Sequence, residues 1–220
     1  MVNLVVAILA ALLLLLLYLT PDVWHPFGSR QARLVSARDG ARYRVHLRHR
    51  DAKGAADRIA DLNRFAVEVM RHLRDAYARG ADGSARHRRL VHNLLTRYDP
   101  DNLVESSPNN PSGDTSFTVN KGAVLAMCLR EQDPTLSGDP TVHDFHVQAL
   151  LRFVMLHELA HVAEDNTGHG PSFWAAFKWL LLEVEQAGIY TSPDFAQYPE
   201  QYCGMRVDYN PRYDPTLAPA

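Results

Sequence analysis

The segment from Val142 to Val162 is apolar on almost every side of a helix, and it constrains the fold more than any other feature of the sequence. A helix that is apolar all round must be surrounded by other elements, so we predict that this segment is the buried centre of a domain. Thr141 and Asp144 form a capping-box-like pair that would start the helix. A chain of 220 residues is long enough for one such domain with appendages.

Three polar side chains interrupt this buried segment, at His157, Glu158 and His161 of the sequence HELAH. Histidines four residues apart project from one face of a helix and can share one metal ion. The glutamate beside them can take a proton from a water molecule on the metal. Uncompensated burial of such groups costs about 1–3 kcal/mol each, and metal ligation removes this cost for the histidines. We therefore predict a Zn²⁺ site with Glu158 as the catalytic base.

A third ligand is expected downstream, because a catalytic zinc usually has three protein ligands and one open position. His169 is the best candidate, since the glycines on both sides of it permit a tight turn back to the metal. Glu164 and Asp165 are alternatives, although Glu164 lies a further turn beyond the histidines. His143 and His146 are expected to be polar residues near the helix start, too far along the axis to join the same site.

The sequence HELAH followed by GHGPSFW resembles the WLM and SprT-like (Spartan-like) zinc metallopeptidases. Those families carry HExxH and a downstream histidine next to glycine or proline, followed by an aromatic residue that starts the next helix. The resemblance covers Val142 to Leu182. It implies His157, His161 and His169 as zinc ligands, Glu158 as catalytic base, and a zincin-like fold.

The remaining patterns predict an α+β domain over residues 30–190, with a small, mostly antiparallel sheet packed on several helices. Residues 31–36 and 42–50 are expected to form a hairpin with its turn at Asp39-Gly40. Amphipathic helices are predicted over residues 55–78 and 86–96, and a further helix from Pro171 to Gly188.

Two further strands are predicted over residues 116–120 and 123–129, after a polar loop that spans Asp99 to Asp114. The segment from Ala123 to Leu129 lies shortly before the zinc helix. It could be the sheet edge to which an extended substrate adds, and a plain core strand is an equal alternative.

An unbroken apolar run of 16 residues extends from Leu4 to Leu19. With residues 2 and 3 it would form a helix of about 27 Å, close to the thickness of a bilayer core. No Lys or Arg precedes the run and no small-x-small site follows it, which favours an anchor at residues 1–20 over a secretory signal peptide. After a linker at 21–29, several arginines follow. We therefore expect a single-pass membrane protein whose domain faces the cytosolic or interior side.

The net charge of −2 is unevenly distributed. Residues 28–98 carry 17 Arg and Lys against 7 Asp and Glu, a net charge of +10, and the rest of the chain carries −12. The basic region predicts an anionic lipid or a nucleic acid as a partner. Solvated helix faces are the alternative explanation.

Residues 191–220 are rich in Pro and Tyr and are predicted to be a C-terminal tail. Tyr202 and Arg206, together with Tyr209 and Tyr213, are candidates for stabilising an oxyanion, and surface packing is the alternative. The two cysteines, Cys128 and Cys203, do not form a CxxC pair. One disulfide is possible, but we expect two ordinary free or buried thiols.

These features together predict a membrane-anchored zinc metallopeptidase that hydrolyses peptide bonds. The alternative is a catalytically silent, membrane-anchored structural or assembly protein that retains the zincin fold. The intact Glu158 argues against that alternative, because a silent protein has no need of a base. A nucleic-acid-associated peptidase is a third possibility, which rests on the basic region and on the resemblance.

Overall fold

A five-stranded mixed sheet forms one layer of the structure, a computed structural model that describes residues 31–47, 49–77, 84–107, 115–131 and 145–220. The strands of this sheet are β1 (Gln31–Val35), β2 (Arg42–His46), β3 (Leu103–Ser106), β4 (Phe117–Val119) and β5 (Val124–Cys128). Their spatial order is β1-β2-β3-β5-β4, so β3 is the central strand and β4 lies at one edge.

The hairpin of β1 and β2 confirms the prediction made from residue alternation. Its turn contains Gly40 at φ +73°, and Ser36 N donates to Ala41 O at 2.9 Å. Tyr43 and Val45 of β2 are buried on the core face while Arg42 and Arg44 are exposed. The alternation holds from Arg42 to Val45, but His46 is buried and Leu47 is exposed, and β2 ends at His46 and not at residue 50 as predicted.

The prediction of a mostly antiparallel sheet is wrong, because β2, β3 and β5 run parallel to one another. Strand β3 lies within the segment predicted to be a polar loop. The long helical connection between β2 and β3 allows a parallel pair, whereas the short turn between β4 and β5 requires an antiparallel one. The coarser prediction, an α+β fold, is confirmed.

Four helices of the described residues pack around the sheet. They are α1 (Ala52–Tyr77), α2 (Ala85–Arg97), α3 (Gln148–Ala163) and α4 (Pro171–Gln186). The helix predicted from Thr141 begins later, at Gln148. Phe145 forms a bridge with Arg130 instead, and Val147 is extended, so residues 145–147 are not helical. The predicted pair of Thr141 and Asp144 lies outside the described residues.

Helix α3 is the centre of the core, as its apolar sequence predicts. It packs against α1, α2, α4 and β4. Of its 16 residues, 11 are buried. A helix enclosed in this way can expose a functional group only where the surrounding elements leave a gap.

A buried ion pair joins the central strand to the segment that leads into α3. Arg130 Nε donates to Glu105 Oε1 at 2.8 Å, and both side chains are almost fully buried. Glu105 Oε2 accepts a hydrogen bond from His46 N at 2.7 Å, and the Arg130 guanidinium lies 4.2 Å from the centre of the Phe145 ring. The ring contact and the hydrogen bonds compensate part of the cost of burying two charges.

The Pro- and Tyr-rich segment, residues 191–220, packs against the domain. It belongs to the same compact unit, which spans Ala32–Ala220. It contains the hairpin of β6 (Glu200–Tyr202) and β7 (Met205–Val207) and buries Phe195 and Tyr202. Cys203, in the turn of this hairpin, forms a disulfide with Cys128 at the end of β5. The prediction of two ordinary thiols is therefore wrong, because the hairpin brings the cysteines together across 75 residues of sequence.

The membrane localisation predicted from the sequence is corrected. Among the described helices, none combines the length and the apolar character that crossing a bilayer requires. Helix α1 has 26 residues, but charged side chains occupy its exposed face. The predicted anchor at residues 1–20 and linker at 21–29 lie outside the described residues.

Replacing Gly122 by alanine should destabilise the fold. Gly122 has φ +115°, and a Cβ there would lie 2.7 Å from Arg97 O of α2. We expect the Gly122→Ala variant to lose about 2–3 kcal/mol of unfolding free energy in urea denaturation. The matched Gly40→Ala variant has φ +73° and open space around the added methyl group, so it should lose only about 1 kcal/mol. Equal losses in the two variants would contradict the close contact with Arg97.

Candidate metal centre

Helix α3 and the turn that follows it bring three histidines to one point. His157 and His161 lie one helical turn apart on α3. The helix ends at Ala163, and Gly168 at φ +74° reverses the chain so that His169 returns towards α3. Gly170 and Pro171 then begin α4. The glycines around His169 thus lie where the sequence placed a tight turn.

The Nε2 atoms of these three residues form a nearly equilateral triangle. The distances are 3.3 Å between His157 and His161, 3.1 Å between His161 and His169, and 3.0 Å between His157 and His169. Three imidazole nitrogens bound at about 2.0–2.1 Å in a tetrahedral arrangement lie about 3.3 Å apart. The spacing therefore fits one metal ion shared by the three rings, with a fourth position left open.

The alternative ligands Glu164 and Asp165 point elsewhere. Glu164 Oε2 accepts a hydrogen bond from Arg86 at 3.0 Å, and Asp165 Oδ1 accepts one from Arg97 at 2.6 Å. Their carboxylates are paired with arginines of α2, and they do not join the histidine cluster.

Aromatic rings of α4 surround the histidines. The Phe173 ring stacks on the His161 ring at 4.2 Å, and it meets the rings of His157 and His169 edge to face. Burial, together with the two neighbouring histidines, lowers the pKa of His157 to about 3, and burial is the main cause that lowers the pKa of His161 to about 4. Both imidazoles are therefore neutral near pH 7, which is the form that binds a metal.

Glu158 is 2 % exposed and lies beside the cluster. Burial raises the pKa of its carboxyl group to about 7, while a hydrogen bond from Thr118 acts in the opposite direction. Thr118 Oγ1 donates this bond to Glu158 Oε2 at 2.8 Å. Thr118 was not singled out from the sequence. Its role depends on β4 lying over α3, which no local pattern reveals.

Two cavities meet at the cluster, and both are lined by Ser116, His157, Glu158 and His169. One, of about 370 Å³, extends towards α4 and the β6–β7 hairpin. The other, of about 410 Å³, extends along the turn between β4 and β5 and the loop at 167–169. The two cavities share these lining residues, and we refer to both together as the cleft.

The sheet edge beside this cleft is β4. The prediction offered the segment from Ala123 to Leu129 as either an edge or a core strand. The structure shows a core strand, because β5 lies between β3 and β4. Within the described residues, β4 pairs with β5 alone, and its other side has no strand partner.

The four candidate oxyanion donors lie in different environments. The Tyr202 hydroxyl is buried, donates to Cys128 O at 2.8 Å and lies 2.5 Å from Ser116 Oγ. Arg206 and Tyr209 line the hairpin side of the cleft, whereas the Tyr213 hydroxyl bonds to Ser192 O. Tyr202, Arg206 and Tyr209 therefore line the cleft, and Tyr213 does not.

Arginines of the basic region pair with acids of the other half of the chain. Arg86 pairs with Glu164, and Arg89 and Arg97 pair with Asp165. These contacts hold α2 against the end of α3, so part of the charge asymmetry is matched inside the fold. An anionic lipid or nucleic acid partner stays a prediction.

Comparison with known proteins gives two related viral sequences. The chain is 40 % identical over 106 residues to an uncharacterized protein of Acanthamoeba polyphaga mimivirus. The matched segment covers 48 % of this chain and 49 % of that protein. The chain is also 38 % identical over 88 residues to an uncharacterized protein of Invertebrate iridescent virus 6. That match covers 39 % of this chain and 46 % of the viral protein. The chain thus spans about half the length of the curated relatives it matches.

No profile of a known protein family matches the chain. No solved structure matches it either. The resemblance to WLM and SprT-like peptidases therefore stays a prediction from the residues of the motif.

Replacing one of the three histidines should strongly weaken metal binding. We expect His169→Ala to weaken zinc binding at least about 100-fold in a competition titration against a chelator, because two ligands remain of three. His92→Ala removes an exposed histidine of α2 and should bind zinc as the unaltered chain does. Unchanged affinity in His169→Ala would exclude this residue as a ligand.

Proposed function

We propose that this chain is a zinc-dependent peptidase in which His157, His161 and His169 hold the metal and Glu158 is the general base. The observation that carries the proposal is the triangle of Nε2 atoms, with sides of 3.0–3.3 Å, beside a buried glutamate in an open cleft. A metal-binding cluster alone would not require a carboxylate at that position.

Three neutral imidazoles with an open fourth position favour zinc over calcium or magnesium, which prefer oxygen ligands. When bound, zinc would polarise a substrate carbonyl and lower the pKa of a water molecule. Phe173 and Phe177 form an apolar wall behind His157, which fixes its ring and strengthens electrostatic interactions at the centre.

Glu158 is suited to accept a proton from water and to return it to the leaving amine. Its carboxyl group has a pKa near neutrality because it is buried, so both protonation states are accessible near pH 7. The hydrogen bond from Thr118 fixes one carboxylate oxygen and favours the ionised form. Thr118 is thus a positioning residue for the base.

The cleft has the shape and polarity that an extended peptide needs. Among the described residues, no strand pairs with the outer side of β4, so a substrate strand can add there. Phe153, Trp174 and Val207 line the cavity next to the metal centre on the hairpin side. An apolar substrate side chain can occupy that cavity while its backbone follows β4.

Tyr202 and Arg206 remain the candidates for stabilising an oxyanion. Arg206 is exposed and its Nε lies 3.5 Å from Asp208 Oδ2, so its guanidinium can turn into the cleft at little cost. The Tyr202 hydroxyl would have to exchange its bond to Cys128 O for one to the substrate. Arg206 is therefore the more accessible donor.

The Glu158→Gln variant tests the proposal directly. Zinc content is measured by mass spectrometry, and hydrolysis of casein and of a peptide library is measured on the full chain. We expect Glu158→Gln to retain one zinc per chain and to lose at least about 100-fold in rate, because the amide cannot accept the proton. Glu68→Gln alters an exposed glutamate of α1 and should keep full activity.

Two results would contradict the proposal. Hydrolysis that persists in Glu158→Gln would exclude this residue as the base. Stoichiometric zinc without hydrolysis of any substrate by the unaltered chain would favour the alternative of a catalytically silent structural protein.

Thr118→Val should shift the pH dependence of hydrolysis. The Thr118 hydroxyl lowers the pKa of the Glu158 carboxyl group, so its removal should raise that pKa. The acid limb of the profile of kcat/KM against pH should then move to higher pH, with kcat reduced about 10-fold near neutrality. Thr118→Ser keeps a hydroxyl and should restore the original profile. A profile that is only scaled down, without a shift, would assign Thr118 a purely structural role.

A further inference from the structure

A second cluster of metal-ligating side chains lies away from the three histidines. Cys128 ends β5, His146 lies two residues before α3, and Cys203 lies in the turn of the β6–β7 hairpin. All three are at most 5 % exposed. The two cysteines form a disulfide here, with their Cα atoms 6.5 Å apart. His146 was expected to be only a polar residue at the helix start, but it is part of this cluster.

The ligand atoms of the cluster are spaced as a metal site requires. His146 Nε2 lies 3.3 Å from Cys203 Sγ, and the two sulfurs and the nitrogen all lie within 4.8 Å of one another. In a tetrahedral zinc site, sulfur and nitrogen ligands lie about 3.3–3.8 Å apart. A Cα separation of 6.5 Å is near the wide end of the range for disulfides, about 4.4–6.8 Å. Side-chain rotation can therefore separate the sulfurs while the backbone stays in place.

Backbone and charged groups of several segments surround the cluster, and they include Arg58, which donates a hydrogen bond to His146 O. Arg130 O lies 3.4 Å from Cys128 Sγ and 3.1 Å from Cys203 Sγ, so a backbone carbonyl borders the cluster. The His146 imidazole is hydrogen-bonded to the Arg130 backbone, and a second partner of this kind orients a ligating histidine ring. Glu131 Oε1 lies 3.9 Å from His146 Nδ1, beyond hydrogen-bond distance, and its side chain is 53 % exposed.

We propose that the reduced chain binds one zinc ion at Cys128, His146 and Cys203, and that oxidation to the disulfide closes this site. Reduction by two molecules of a monothiol breaks the bond between the cysteine sulfurs and oxidises the monothiols to their own disulfide. Binding of zinc then releases the two thiol protons, which balances the exchange. The site is distinct from the three-histidine centre and does not depend on that centre being catalytic.

The second site would keep the cleft intact when the disulfide is reduced. Residues 205–207 of the β6–β7 hairpin line the cavity next to His157 and Glu158. The disulfide holds the turn of this hairpin to the end of β5. A zinc ion on the same residues would hold it to β5 and, through His146, to the segment before α3. The hairpin is then fixed under oxidising and reducing conditions alike.

Zinc stoichiometry in a variant without the three-histidine centre provides the test. The full chain carrying His157→Ala and His161→Ala is equilibrated with excess zinc, desalted and analysed by mass spectrometry, with and without a phosphine reductant. The phosphine takes one oxygen atom from water as it reduces the disulfide, and it adds no competing thiol. We expect no zinc in the oxidised variant and one per chain in the reduced variant. A reduced variant that binds no zinc overturns the proposal.

Cobalt(II) identifies the ligands and is independent of activity. Reduction of the same variant should produce the near-ultraviolet charge-transfer absorption that thiolate ligands give, and Cys203→Ser should remove most of it. His146→Ala should weaken cobalt binding at least about 100-fold, whereas His92→Ala should leave it unchanged. Circular dichroism of each variant shows whether it is folded. Should Cys203→Ser not fold, the spectrum of the reduced parent decides alone, because cobalt bound without thiolate absorption contradicts the proposal.

Discussion

The burial of α3 is the constraint on which the rest of the structure depends. A helix with 11 of its 16 residues buried must be enclosed by other elements, and α1, α2, α4 and β4 enclose it. A buried polar group without a partner costs about 1–3 kcal/mol. Gln148 Nε2 and Arg152 Nε of α3 are buried without a hydrogen-bond partner among the described residues, whereas the groups at the candidate centre have partners. Thr118 donates a hydrogen bond to Glu158, and the histidines face one another across the proposed metal position. The same requirement that shapes the core therefore arranges the candidate centre.

Charge pairing at the end of α3 explains how a strongly divided sequence folds into one domain. The basic helix α2 lies against the acidic residues Glu164 and Asp165, which begin the turn towards His169. Asn93 adds a bond of 2.7 Å to Ala163 O at the last residue of α3. The turn that carries the third histidine is thus held by a neighbouring helix. The precise return of His169 depends on these contacts as well as on its glycines.

Sequence reasoning identified the helices, the first hairpin and the histidine cluster, because each has a local signature. Periodicity marks an amphipathic helix, alternation marks a strand, and HELAH places two ligands on one helical face. Strand β3 was missed since its four residues include Glu105, whose buried charge is compensated by Arg130 from a distant segment. Thr118 and the pairing of Cys128 with Cys203 were missed for the same reason. Contacts between distant segments cannot be predicted from the spacing of residues within one segment.

The disulfide also changes the covalent topology of the chain. It closes a ring between Cys128 and Cys203, and this ring contains α3, α4 and all three histidines. A single backbone cut anywhere inside the ring opens it without releasing a fragment, so the two ends remain one molecule. An oxidised chain that is nicked in the ring keeps His157, His161 and His169 in one covalently connected molecule. The same cut in a reduced chain leaves only non-covalent packing to hold the two halves together.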